Sequence, residues 1–305
     1  MEVIVAITAF NIDRYTTVER FLDEYRMIGL NTIELNGRVR QHVIDALTPF
    51  IEREEIAISS LHNFCPRPEI VDRVNLRLSS LDEQIRRLAV QHTQHTIATA
   101  HRLGARAVVL HAGEIQALRP LAKTLKEPYQ AGEKDSTRFA QVQEALLVRR
   151  KQLRKTHVSA AERSIVELAE FVTRKNLGVK LGLENRDYYG QIPQVEEYDA
   201  WFERYDGMPV YLWYDLGHGE ILENLGLGDK GALFDSHGHR LLGVHLHDCS
   251  GIKDHIVPGT GDIDFEFYKP YLCPKVLRVL EYGRRVRPVA RIAEGIQYLR
   301  EKGII

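Results

Sequence analysis

The chain has 305 residues, 44% of them apolar, and a formal net charge of −1. That supplies a large core, suits one α/β barrel with insertions, and leaves no overall charge to steer the chain toward nucleic acid or a membrane surface. Three widely spaced cysteines, Cys65, Cys249 and Cys273, make neither a disulfide framework nor a paired-cysteine metal motif, which favours a reducing, cytoplasmic setting; no apolar run approaches the ~20 residues of a membrane span.

The opening run, Met1 to Thr8, lacks a basic leader and reads as a buried strand rather than a signal peptide. Continuous apolar runs of this kind mark parallel strands covered on both faces. They recur at Val3–Thr8, Thr32–Leu35, Ile56–Leu61, Ala107–His111, Val179–Glu184, Val210–Asp215, Leu242–His247 and Val276–Glu281, eight in all. Amphipathic helical patterns fall between them, among them Thr17–Ile28, Asp82–Leu103 and Ile292–Lys302, and Gly104, Gly178 and Gly303 stand where helices stop. Strict alternation with a count of eight predicts a single (β/α)8 TIM barrel over residues 1–305 rather than a doubly wound sheet.

Between the fourth and fifth strands Ala112–Leu177 forms an insertion. Leu121–Asp135 reads as a polar loop, and Ser136–Asn176 as one long helix or two helices broken near Thr156–Ser159. Its basic cluster, Arg149, Arg150, Lys151, Arg154 and Lys155, reads as a solvated helix face. A lid over the site or an oligomer contact are the uses open to the segment, and its emergence from a βα-loop places it at the barrel mouth.

Each of four residues, Glu184, Asp215, His245 and Glu281, ends a short apolar strand, at spacings of 31, 30 and 36 residues. In a (β/α)8 barrel that is where active-site side chains project, and three carboxylates with one imidazole suit a divalent metal. Asp215 is also placed to cap the next helix, but His218 three residues on can share its mouth. His245 and His247 fall on one face of their strand, because strand side chains alternate. His62 and His111 end the third and fourth strands, and His255 precedes a glycine-rich turn. Arg186 follows Glu184 closely enough to hold a phosphate or carboxylate. Arg38 and Arg40 could touch phosphates or lie on the surface.

Together these motifs are Leu-His-Asn at 61–63, Leu-His-Ala-Gly at 110–113, Leu-Glu-Asn at 183–185, Asp-x-x-His at 215–218, Val-His-Leu-His-Asp at 244–248, Asp-His-x-x-Pro-Gly-x-Gly-x-Ile-Asp-Phe at 254–265 and Leu-Glu at 280–281. In that order they resemble the xylose-isomerase-like TIM-barrel superfamily, which contains sugar phosphate isomerases and epimerases and the AP endonucleases. The resemblance implies a metal-dependent sugar or sugar phosphate isomerase or epimerase. One divalent ion (Mn, Co, Mg or Zn) would sit on Glu184, Asp215, His245 and Glu281. Glu184 and Glu281 would then serve as the acid–base pair that moves a proton alpha to a carbonyl. His62, His111, His218 and His255 are expected as substrate contacts or additional metal ligands, and Arg186 and His247 as substrate contacts.

Two other activities are compatible with the same motifs: a dehydratase or lyase of the superfamily, and an AP-endonuclease-like phosphodiesterase with two or three Zn. For the latter, His62, His111, Glu184, Asp215, His218, His245, His255 and Glu281 match ligand positions of a trinuclear site. Lys253 stands where the remaining Asp ligand belongs, and Asp254 would substitute only with a shifted loop. That lysine favours one ion over three, and the near-neutral chain lacks the basic footprint that DNA binding wants. The expected partner is a small sugar, with a homo-oligomer possible.

Overall fold

The described residues of the computed structural model are 3–287 and 289–305. Met1 and Glu2 of the apolar start lie outside them. The eight predicted strands are β1 (Val5–Thr8), β2 (Thr32–Leu35), β3 (Ala57–His62), β4 (Ala107–Leu110), β5 (Lys180–Glu184), β6 (Val210–Asp215), β7 (Leu241–Leu246) and β8 (Leu277–Leu280). They pair in parallel in chain order, and β8 closes on β1 with Val5 opposite Arg278 and Ile7 opposite Leu280. The apolar runs are continuous because each strand is covered by barrel interior on one face and helices on the other.

Strand parity sets the barrel's floor. The residues two positions before the site residues point inward with them. Val109, Trp213 and Val279 belong to this inner cluster, together with Ala6 and Leu277. The Trp213 indole is accommodated by glycines on both neighbouring strands. A Cβ added at Gly182 would lie 3.0 Å from the ring, and one at Gly243 only 2.5 Å from it.

Helices α1 (Val18–Met27), α2 (Gln41–Glu52) and α3 (Glu83–Arg102) cover the first strands. Asp82 caps α3 by accepting from the Gln84 and Ile85 N–H groups, and Gly104 ends it in the left-handed region at φ +70°.

Three features of the insertion bear on expectation: two depart from it, and one selects the single-helix alternative. First, the polar stretch is not a loop but helix α4 (Arg119–Gln130), opened by Pro120 in its first turn. Leu118, Ala122 and Leu125 form a buried stripe along it, while Arg, Lys and Glu on the opposite face mask the pattern by composition. Second, α5 (Thr137–Arg174) runs unbroken for 38 residues, about 57 Å at the α-helical rise. Thr156 and Ser159 face solvent and break nothing, while Ala160, Ala161, Ser164, Ile165 and Leu168 bury against the fold.

Third, the basic cluster is not all solvated. Arg149, Lys151 and Lys155 are exposed, but Arg150 is buried. Its Nη2 donates to Glu197 Oε2 at 2.6 Å and its Nε to the Tyr189 carbonyl at 2.8 Å. Glu197 in turn accepts from the Gln194 backbone N–H in the capping box of α6 (Val195–Arg204). One buried ion pair thus joins the insertion to the barrel.

Without Arg150, Glu197 keeps the partly exposed Arg154 at 2.8 Å but loses its buried partner. Arg150→Ala should therefore lower unfolding stability by about 1.5–3 kcal/mol, while the exposed Lys151→Ala should stay within about 0.5 kcal/mol. Urea unfolding midpoints read both values.

Candidate metal centre

The four strand-end residues converge. One ligand atom from each of Glu184, Asp215, His245 and Glu281 lies within 4.8 Å of all the others. His245 Nδ1 stands 3.0 Å from Glu184 Oε1, 3.0 Å from Glu281 Oε2 and 3.7 Å from Asp215 Oδ2. Glu184, Asp215 and His245 are fully buried, and the Glu281 side chain is 19% exposed, so Glu281 is the member that opens to the mouth.

A fourth carboxylate, Glu34, belongs to the group and was missed from the sequence. It sits inside β2, fully buried, accepting from Ser60 Oγ at 2.6 Å and facing His245 Nε2 at 3.1 Å. Its signal was legible: a charge inside an apolar strand must face a partner. Leu35 as the last strand residue drew attention away from it. With Nε2–H donated to Glu34, the other ring nitrogen of His245 faces the three carboxylates, the arrangement by which a carboxylate fixes the tautomer of a metal-binding histidine.

The electrostatics reflect crowded negative charge. Burial alone would raise the Glu184 carboxyl, yet Arg186, His111 and His245 beside it hold it well below the usual carboxylate range. Burial likewise opposes ionisation of Glu281, and His245 and His255 outweigh it, against repulsion from Glu184. For His245 burial disfavours the charged ring, but Glu281, Glu34 and Glu184 raise its pKa well above the ordinary histidine value. Oxygen donors in excess, one imidazole and mutual repulsion are the donor set of a divalent cation.

Asp215 performs both tasks considered for it. Oδ1 accepts from the His218 N–H at 2.8 Å, capping α7 (Leu216–Asn224), while its carboxylate stays in the cluster. Asn185 pins its backbone, accepting from Asp215 N–H at 2.6 Å and donating to its carbonyl at 3.0 Å. His247 is fully buried; its Nδ1 accepts from the His255 N–H at 3.0 Å, so Nε2–H donates to Asp215 at 2.9 Å. It faces both carboxylate oxygens of Asp215, at 2.9 and 3.0 Å, and so orients that side chain.

The remaining histidines enter three further groups: Asp215–His247–His255 and, considered next, His62–His111–Glu184 and His218–Asp254–His255. In the last, Asp254 lies 3.1 Å from His255 Nδ1 and 3.7 Å from His218 Nε2, while Lys253 is exposed. Asp254, not Lys253, is the residue of this loop that joins the two histidines. His255 reaches the group from a left-handed backbone, φ 54°, on a short antiparallel ribbon. In the His62–His111–Glu184 group Arg186 donates from Nη1 to Glu184 at 2.8 Å and to His111 Nε2 at 2.6 Å. Arg38 spends its Nη1 on the Phe10 carbonyl and Arg40 pairs with Asp72 on the surface.

The α4–α5 insertion walls the mouth. Lys126 pairs with Asp187 after β5, Gln143 holds the carbonyls of Leu225 and Gly226 after α7, and Tyr129 lies against Gly251 after β7. A polar cleft lined by Asn63, Asn75, Arg77, His111, Glu114 and Gln191, about 180 Å³, opens beside His111.

Because Glu34 orients His245 without being one of the four, Glu34→Gln should weaken divalent-ion affinity roughly 10–100-fold with the fold intact. Equilibrium dialysis against Mn, beside a far-UV circular dichroism spectrum, measures it.

Comparison with known proteins places this arrangement. Residues 22–302 match the sequence profile described as xylose isomerase-like TIM barrel. An uncharacterized protein of Sinorhizobium fredii, y4fM, is 37% identical over 70 residues, 23% of this chain and 21% of that protein, so the match spans about a fifth of the relative's length. Among solved structures, a D-tagatose 3-epimerase-like protein superposes with a TM-score of 0.69 at 18% identity, covering 100% of this chain and 98% of its own. The 3-keto-D-glucoside 4-epimerase YcjR from E. coli gives 0.67 at 15%, covering 98% and 100%. At such identities the structural likeness speaks for the fold, and it is the match of the sequence profile over 22–302 that shows the chain to belong to the xylose isomerase-like TIM barrel family.

Proposed function

We propose that the protein is a divalent-metal-dependent isomerase or epimerase of a small sugar or sugar phosphate. The observation that carries this reading is the pair Glu184 and Glu281, which approach one point from β5 and β8, each 3.0 Å from His245 Nδ1. One carboxylate would suffice to bind; two on different strands suit removal and return of a proton. The epimerases among the structural neighbours are named for work on sugars, and the polar cleft beside His111 offers hydroxyl-compatible donors and acceptors.

Glu184, Asp215, His245 and Glu281 would hold the ion. When bound, it supplies Lewis-acid polarisation of the substrate carbonyl, acidifying the adjacent C–H. Glu281, the partly open carboxylate, meets the substrate on the mouth side, and Glu184 meets it from the buried side. Both stand ionised, so each can accept the proton from its own face of the carbon. His255, 3.7 Å from Glu281 through Nε2, is placed to pass a proton outward. The α4–α5 wall limits water at the reacting carbon, which protects a carbanion-like species from stray protonation. No helix among the described residues is long and apolar enough to cross a membrane.

The gathering of His218, Asp254 and His255 favours one second reading, a multi-ion phosphodiesterase of the AP-endonuclease type. Incubation of a ketose panel in D2O with Mn distinguishes the two. Deuterium should enter at the α-carbon of at least one ketose, and Glu184→Gln and Glu281→Gln should each lower the rate at least ~100-fold. Absence of exchange on every ketose, with chelator-sensitive incision of abasic duplex DNA, would make the second reading the correct one.

A further inference from the structure

The group formed by His62, His111 and Glu184 has the form of a three-ligand ion site. His62 Nε2 is 3.3 Å from Glu184 Oε2, and His111 Nε2 is 2.5 Å from the same oxygen. The two rings meet edge to face with centroids 4.5 Å apart. Three donors aimed at one point are what a divalent ion with an open position uses.

That point already has a cation beside it. Arg186 Nη1 stands 2.6 Å from His111 Nε2 and 2.8 Å from Glu184 Oε2. A neutral imidazole has one lone pair to give, on its unprotonated nitrogen. Arg186 Nη1 fills the space in front of that nitrogen and of Glu184 Oε2, where an ion shared by the two would have to sit. Nor can the arginine step aside by losing its proton, since a guanidinium stays charged in proteins. A divalent ion bonded to His111 and Glu184 at ~2.0–2.2 Å would also sit within a few ångströms of a fixed positive charge.

We propose that the Arg186 guanidinium serves as a built-in monovalent cation at the position a second divalent ion would take between His62, His111 and Glu184, and so bars metal from it. This rests on the reading of Glu184, Asp215, His245 and Glu281 as the ion-holding group. Arg186 neutralises Glu184 Oε2 and leaves Oε1 turned to His245, so one carboxylate serves two cations through its two oxygens. The Arg186 Nε–H, buried with no acceptor among the described residues, is left for a substrate oxygen. A fixed guanidinium suits binding and orientation of a small polyhydroxylated anion or carbonyl, whereas a second ion would suit activation of water for phosphodiester cleavage.

The test is ion stoichiometry. Wild type, Arg186→Ala, His111→Ala and the double variant are dialysed to equilibrium against Zn or Mn alone and analysed for metal per chain. Arg186→Ala should bind one equivalent more than wild type, and adding His111→Ala should remove the gain. His111→Ala alone should leave the wild-type count unchanged, and Arg186→Gln, which keeps a neutral side chain of similar reach, repeats the gain should Arg186→Ala fail to fold. An Arg186→Ala count equal to that of an ion-binding wild type, or the loss of one ion in His111→Ala, overturns the inference and leaves the metal-dependent reading standing. A wild type that binds no ion overturns both.

Discussion

Four carboxylates, Glu34, Glu184, Asp215 and Glu281, meet at the mouth of the barrel, three of them fully buried and the fourth partly open. Their mutual repulsion is the constraint the surrounding structure answers. Such groups persist in a low-dielectric setting only with cations or hydrogen-bond donors on their oxygens. The chain supplies His245 between Glu34 and Glu184, Arg186 on the outer oxygen of Glu184, His247 on Asp215 and His255 near Glu281. What these partners leave unbalanced lies at the centre of the group, where a divalent ion fits.

Holding this arrangement requires a rigid base. The indole of Trp213 packs edge-on to His245 with centroids 5.3 Å apart, and glycines on β5 and β7 make room for it. The same pleat that seats the tryptophan two residues below Asp215 turns Asp215 into the mouth. Floor and site are therefore one construction: a side chain added at Gly243 would press on the ring that supports His245. Asn185, clamping the backbone of Asp215 from the end of β5, adds a lateral tie between adjacent strands.

Above the floor, the insertion converts an open barrel end into a walled one. Arg150 is the anchor, its charge matched by Glu197 and its position fixed by the Tyr189 carbonyl. From there α4 and the first turns of α5 touch the loops after β5, α7 and β7. The strand ends bring the candidate ligands together, the insertion packs over the loops beside them, and Arg186 pairs with Glu184 on the near side.

The sequence alone determined the barrel, the eight strand positions and the four residues at their ends, because burial on both faces writes a continuous apolar run and an acidic residue ending such a run stands out. It did not determine α4, and it left α5 open between one helix and two. The apolar stripe of α4 is interrupted by charges on its other face, and Thr156–Ser159 reads as a break only until the packing of its neighbours is known. Only the tertiary structure decided which oppositely charged residues meet. Glu34 and His245 are 211 residues apart, Arg150 and Glu197 are 47 apart, and no local period links either pair. The same holds for Lys253 and Asp254, adjacent in sequence yet opposite in role, since the direction of a side chain on a short ribbon is set by what it packs against.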